Sequence, residues 1–149
     1  MLGGKITLAL ASDHAGYALK RQLLDWLSAQ GYAPLDCGTY SDESCDYPIY
    51  AHRLAEALQS GRAVLGIGIC GTGNGISMAL NRHKGIRAAL CWTPELAGLA
   101  RAHNDANVLT LPGRFLTVEQ AIPIVEAFFS GTFQAGRHQR RIDQLDQFQ

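Results

Sequence analysis

Cys70 is the residue whose surroundings promise most chemistry. It follows an apolar run and precedes Gly71, Thr72, Gly73, Asn74 and Gly75. Glycines among these residues let successive backbone N–H groups face one concavity, which makes an anion-binding nest. A helix predicted to begin just beyond adds its partial positive end to the same space. Both effects favour a thiolate over a thiol, and a thiolate of near-neutral pKa is a competent general base. The same residues also fit a tight strand-to-helix turn around an inert buried thiol, because glycine-rich turns are common. The turn is not a P-loop, since it lacks the Gly-Lys-Ser/Thr ending that places a lysine on phosphates. It does not match GxGxxG either, because Gly66 and Gly68 fall inside the preceding strand.

Three further groups are candidates. Asp13 and His14 stand in the run Ser12, Asp13, His14, Ala15, Gly16. A carboxylate beside an imidazole can orient a hydroxyl-bearing ligand and offer a cation to an anion. Asp13 taken alone is more simply a helix cap. His103 and Asn104 lie in the segment from Arg101 to Asn107. His103 is either a partner of the helix dipole or a proton donor held at the sheet's carboxyl edge. Asn104 and Asn107 suit a turn. Arg114, Arg137 and Arg141 carry guanidinium forks that suit phosphate oxygens, and the last two share a face if their stretch is helical. A solvated basic tail is the alternative. Gathered at one edge of a sheet, these groups would supply a base (Cys70), an acid (His103), an oxyanion nest (residues 71–75) and anchors (His14, Arg114, Arg137, Arg141). That set suits proton transfer beside the carbonyl of a small phosphorylated substrate.

The elements that must position them alternate between strand and helix. Residues 5–12 predict a buried strand, and residues 15–30 a helix with Leu19, Leu23, Leu24 and Leu27 on its apolar stripe. Gly31 is its stop. Residues 33–37 predict a strand and residues 38–47 a loop. Pro48 opens a helix marked by Ala51, Leu54, Ala55 and Leu58, and Gly61 ends it. Residues 63–69 and 86–91 predict strands, with a helix starting at Ile76 between them. Thr93 and Pro94 open a helix reaching His103, and residues 108–111 form a fifth strand. Thr117 with Gln120 predicts a capping box for a last long helix, with Pro123 inside it as a potential kink. The tail from 132 to 149 places Ile142, Leu145 and Phe148 at i, i+3 and i+6. This spacing predicts a short helix whose apolar side needs a surface, on its own domain or on a second subunit. Five strands alternating with helices predict a parallel sheet covered on both faces. Ligands of such sheets bind beyond the carboxyl ends of the strands.

The chain of 149 residues fits one domain spanning 1–149. Its 47% hydrophobic and 17% charged content excludes a disordered chain. Thirteen Lys and Arg balance thirteen Asp and Glu, so a basic field for nucleic acid is absent. No apolar run approaches the ~20 residues of a membrane helix, and the first residues do not read as a secretory signal. The cysteines Cys37, Cys45, Cys70 and Cys91 form no CxxC pair. Neither a zinc knuckle nor a disulfide framework is therefore expected, and a reduced, cytoplasmic setting fits. Cys37, Cys45 and Cys91 read as small buried hydrophobes.

These motifs resemble one family. SDHAG at 12–16, DYP at 46–48, GICGTGNGIS at 68–77, GIRAAL at 85–90, ARAHNDANVL at 100–109 and GRHQRRI at 136–142 are similar to type B ribose-5-phosphate isomerases and galactose-6-phosphate isomerase subunits. The similarity runs in order over nearly the whole chain. It implies a Rossmann-like sheet, in flavodoxin-like order, and a cofactor-free, metal-free aldose–ketose isomerase acting on a sugar phosphate. It also implies a homodimer or dimer of dimers with active sites between subunits, the segment 131–149 packing on the partner. Cys70 would move a proton between C1 and C2, and His103 would assist ring opening. Gly71, Thr72, Gly73, Asn74 and Gly75 would hold the enediolate oxygen. Asp13, Tyr47, Thr72 and Asn104 would contact sugar hydroxyls or orient the reacting groups, and His14, Arg114, Arg137 and Arg141 would bind phosphate. Some relatives use a glutamate early in the helix after this turn, with serine at the cysteine position. Cys70 and Ile76 match the cysteine version. Asn74 stands where many relatives are apolar, which bears on pocket shape. The competing readings are the same chemistry on a four- or six-carbon sugar phosphate, a sugar-phosphate-binding protein without turnover, and a nucleotide-binding flavodoxin-like module.

Overall fold

The computed structural model describes residues 6–147. Lys5 of the first predicted strand, the N-terminal residues read for a secretory signal, and Phe148 of the predicted tail helix lie outside them. Five parallel strands form one sheet: β1 (Leu8–Ser12), β2 (Leu35–Asp36), β3 (Leu65–Cys70), β4 (Ala88–Leu90) and β5 (Val108–Pro112). Six helices alternate with or follow them: α1 (Tyr17–Ala29), α2 (Tyr47–Gln59), α3 (Asn74–Leu80), α4 (Pro94–Asn104), α5 (Val118–Ser130) and α6 (Arg137–Asp143). The architecture is the expected Rossmann-like α/β sandwich.

Side-chain size explains the layering. Leu8, Leu10, Leu65, Ile67 and Ile69 face α1, α4 and α5, where Leu23, Ile124 and Phe128 fill the core. The opposite face carries Ala9 and Ala11. Gly66 and Gly68 share it, lying close under Leu54 and Leu80. Small residues there let α2 and α3 approach the sheet. Cys70 sits on this second face, with Ile76.

The strand order is β2-β1-β3-β5-β4, whereas a flavodoxin-like sheet runs 2-1-3-4-5. The difference follows burial. β5 is buried along its whole length and lies inside, whereas β4 has three half-buried residues and takes the edge. The Asn81 side chain covers that edge, accepting from Ala88 N–H at 2.8 Å and donating to its carbonyl at 3.0 Å. β2 is shorter than predicted, at two residues. Pro34 before it has no N–H to give a ladder.

The predicted caps of α4 and α5 form. Thr93 accepts from Leu96 N–H at 3.2 Å, and Thr117 and Gln120 make the reciprocal capping box. Pro123 stands inside α5 without ending it. α3 starts at Asn74, two residues earlier than predicted, because the chain enters it straight from Gly73.

Candidate active site

One group of predicted residues lies at the carboxyl ends of the strands. Cys70 is the last residue of β3, paired with Pro112 of β5, and only 4% exposed. The turns after these two strands are bonded together. Gly113 N–H donates to the Cys70 carbonyl at 2.8 Å, and Arg114 N–H to the Gly71 carbonyl at 3.1 Å. The Arg114 guanidinium consequently lies against Gly71, where an added Cβ would stand 3.1 Å from Nη1. Gly73 has φ +79°, a left-handed conformation that turns the chain directly into α3. The Thr72 hydroxyl accepts from Asn74 N–H at 3.3 Å. No acceptor among the described residues takes the N–H of Gly71, Thr72 or Gly73. These N–H groups are therefore available as donors to an oxyanion.

Tyr47, the first residue of α2, covers this turn. A Cβ on Gly75 would lie 2.6 Å from the Tyr47 ring, so the ring rests against Gly75 where any larger residue would push it aside. Asp13 follows β1, and its N–H donates to the Ile69 carbonyl at 3.2 Å. One carboxylate oxygen accepts from Ala15 and Gly16 N–H at 2.9 and 3.1 Å. These bonds close the turn ahead of α1 rather than cap it: α1 begins at Tyr17 with Gly16 at its N-cap and no side-chain cap, so the expected Asp13 cap is not made. His14 accepts from Cys45 N–H through Nδ1 at 3.2 Å. That bond uses the Nδ1 lone pair, so the ring as bonded offers one donor, Nε2–H.

The second group lies at the other end of the sheet. α4 leaves the carboxyl end of β4 and returns along about 16 Å of helix, as long as a five-residue strand. His103 and Asn104 are its last residues, so they lie at the amino ends. Val108 then opens β5 opposite Gly66, the second residue of β3. The prediction that all the groups gather at one edge is therefore corrected within a single chain, because a helix following a parallel strand must run back against it. Arg137 and Arg141 go with His103. α6 packs on α4, and His138 stacks on His103 with centroids 4.3 Å apart and planes at 10°. His103, Asn104, His138 and Arg141 line a hollow of about 250 Å³, closed by Ile142 and Leu145. A larger groove of about 440 Å³ continues past Asn104 to Ala88 and Ala89 of β4. Cys70 lines neither.

This amino-edge group is firmly held. Asp105, at φ +44°, accepts from Arg101 at 3.1 Å and Arg87 at 3.4 Å. Asn107 is not merely a turn residue. Its side chain joins the starts of β4 and β5, accepting from Arg87 N–H and donating to the Gly85 carbonyl, both at 2.8 Å. Burial, then the nearby His103, Arg137 and Arg141, lower the pKa of His138. Burial raises the Cys37 thiol and pushes Cys91 up to about 11, which leaves both as the inert thiols expected. Cys45 is only half-buried. Among the described residues no group of three or more His, Cys, Asp or Glu is placed to hold a metal, and no helix is long and apolar enough to cross a membrane.

Sequence reasoning did not assign His138 or Lys20 a place. Lys20 left a signal: with Leu23, Leu24 and Leu27 it makes an i, i+3, i+4, i+7 stripe, so a lysine occupies a core position.

A parallel α/β sheet with an amide-lined thiol turn at the ends of its central strands is the framework of a small-molecule enzyme of the doubly wound class. Comparison with known proteins narrows this. Residues 8–145 match the family described as Ribose/Galactose Isomerase. Ribose-5-phosphate isomerase B of Escherichia coli (strain K12) is 43% identical over 138 residues, covering 93% of each chain. The ribose 5-phosphate isomerase structure from Thermotoga maritima superposes with a TM-score of 0.95 at 49% identity, covering 97% of this chain and 99% of that one. The Mycoplasma genitalium ribose-5-phosphate isomerase B structure with bound ribulose-5-phosphate has a TM-score of 0.89 at 42% identity, covering 95% of both chains. The chain belongs to the ribose/galactose isomerase family.

Proposed function

We propose that this protein interconverts D-ribose 5-phosphate and D-ribulose 5-phosphate without a cofactor, in the cytoplasm. In this reading the chain is one domain, and its site is completed by a second copy. The observation that carries the assembly is the separation of the two residue groups. Cys70 and its amide turn stand at one end of the sheet, and His103, Arg137 and Arg141 stand at the other. A two-fold dimer placing the carboxyl edge of one copy against the amino edge of the next makes two complete sites, because such an interface repeats every contact. The segment 131–149 would then lie against the partner.

The chemistry follows from the groups present. His103 gives a proton to the ring oxygen as its bond to C1 breaks and the anomeric hydroxyl releases its proton to solvent, which opens the sugar. The Cys70 thiolate removes the proton from C2 of the open aldose. The C–H electron pair forms the C1–C2 double bond, and O1 becomes an oxyanion held by the N–H groups of Gly71 to Gly75. A proton passes from O2 to O1, and the thiol returns its proton to C1, leaving the ketone at C2. Asp13, Tyr47, Thr72 and Asn104 orient hydroxyls and reacting groups. His14, Arg114, Arg137 and Arg141 hold the phosphate.

Formation of ketose from ribose 5-phosphate in deuterated water tests the reaction. Turnover with deuterium entering the product supports it, whereas saturable binding without exchange leaves a binding protein. A second reading keeps the chemistry on a six-carbon sugar phosphate, since the matched family description includes galactose. Comparing kcat/KM across four-, five- and six-carbon sugar phosphates decides between the two. Mixing Cys70→Ser and His103→Gln chains tests the shared site. Random exchange restores about a quarter of wild-type activity if each site spans two copies, and none if each lies in one chain.

A further inference from the structure

Lys20 is fully buried, and none of the chemistry above uses it. Its ammonium is ion-paired with Asp36 and donates to the Thr39 carbonyl at 2.7 Å. The rings of Tyr17 and Tyr40 stand 5.7 and 5.5 Å from it. Burying a lysine is costly unless its donors are satisfied, so these partners fix where the ammonium can sit.

Its bonds belong to a closed ring. Asp36 accepts from Gly38 N–H at 2.9 Å. The Gly38 carbonyl accepts from Ser12 N–H at 2.7 Å, and the Ser12 carbonyl accepts from Thr39 N–H at 2.8 Å. The Thr39 carbonyl returns the path to Lys20. Ser12 is the last residue of β1, and Asp13 is the next residue. The loop after β2 is thereby clamped onto the backbone that aims Asp13 and His14.

We propose that Lys20 is a positioning residue for the substrate-binding tip of β1, acting through the loop of residues 36–39 on Asp13. The inference rests on the proposed isomerase site. Lys20 touches no reacting atom. Without its ammonium, the Thr39 carbonyl and the Asp36 carboxylate lose their shared donor, and the clamp on Ser12 loosens.

A double-mutant cycle tests this with ribose 5-phosphate as substrate. Lys20→Met keeps the length of the side chain and removes the charge. The expected result is a KM raised about tenfold with kcat within about twofold of wild type. In an Asp13→Asn background the same change should raise KM by less than about twofold, because the residue it positions is already lost. A loss confined to kcat, an equal rise of KM in both backgrounds, or no change in KM overturns the proposal. If Lys20→Met shows no cooperative thermal transition, Asp36→Asn carries the same cycle, since it removes the ion pair from a half-buried position. Wild-type protein without turnover would instead overturn the isomerase reading, so the two failures are distinct.

Discussion

The two ends of the sheet are built by different means. At the carboxyl edge the backbone makes the site. Strand ladders fix Cys70, the N–H groups of Gly71, Thr72 and Gly73 have no acceptor among the described residues, and Arg114 is held by its own N–H on Gly71. At the amino edge side chains make the site: two stacked imidazoles, and arginines projecting from a seven-residue helix that packs on α4. Groups that must stabilise a transient charge benefit from rigid backbone donors. Groups that grip a phosphate can stand on side chains, since a guanidinium carries its own fork of donors. On the proposed function, the chain carries two halves of a site at opposite ends of its sheet.

The sharpest way to break this contrast is at the sulfur. Cys70→Ala should lower kcat by about 10²–10⁴-fold, the usual worth of a positioned general base. Sugar-phosphate binding should persist, as measured by calorimetry. An unchanged kcat would remove the carboxyl edge from the chemistry.

Gly75→Ala probes the same edge through packing. The new methyl must displace the Tyr47 ring, which an added Cβ would approach to 2.6 Å. Tyr47 is partly exposed and its ring can swing outward, so the cost lies toward the low end of the about 1–3 kcal/mol of core overpacking. A lowered Tm and a raised KM are expected, and Tyr47→Ala in the same chain should recover part of the stability.

Thr117→Ala lies on neither site group. It removes half of a capping box, worth about 1 kcal/mol. Thermal unfolding should shift down by a few degrees with kcat/KM unchanged, which sets the scale for purely structural loss.

The smallest effect belongs to the amino edge. Folding lowers the pKa of His138, so the unfolded chain binds that proton more readily. Stability should be level above the ordinary imidazole value of about 6.5 and fall as pH drops through it toward the lower folded value. His138→Phe keeps a stacking ring and should flatten the slope of Tm between pH 8 and pH 5, to the extent that His83, also lowered, does not supply it.

Much of this was legible in the sequence. The alternating apolar segments marked all five strands, and Thr93 with Pro94 and Thr117 with Gln120 marked the starts of α4 and α5. Local rules suffice there, because caps and periodicity act within a few residues. The edge position of β4 was not legible. It depends on which strand β3 accepts as a neighbour, and the apolar runs of β4 and β5 look alike. Lys20 showed in the spacing of its helix, but its partners Asp36 and Thr39 arrive from a loop sixteen or more residues away.

By itself the sequence determined the elements, the reactive residue types and the family. Those are set by residue chemistry and short-range order along the chain. Only the tertiary structure decided that Cys70 and His103 stand at opposite ends of one sheet. The reason is directional: parallel strands require each connecting helix to run back, so residues at the end of a helix finish where the strands begin.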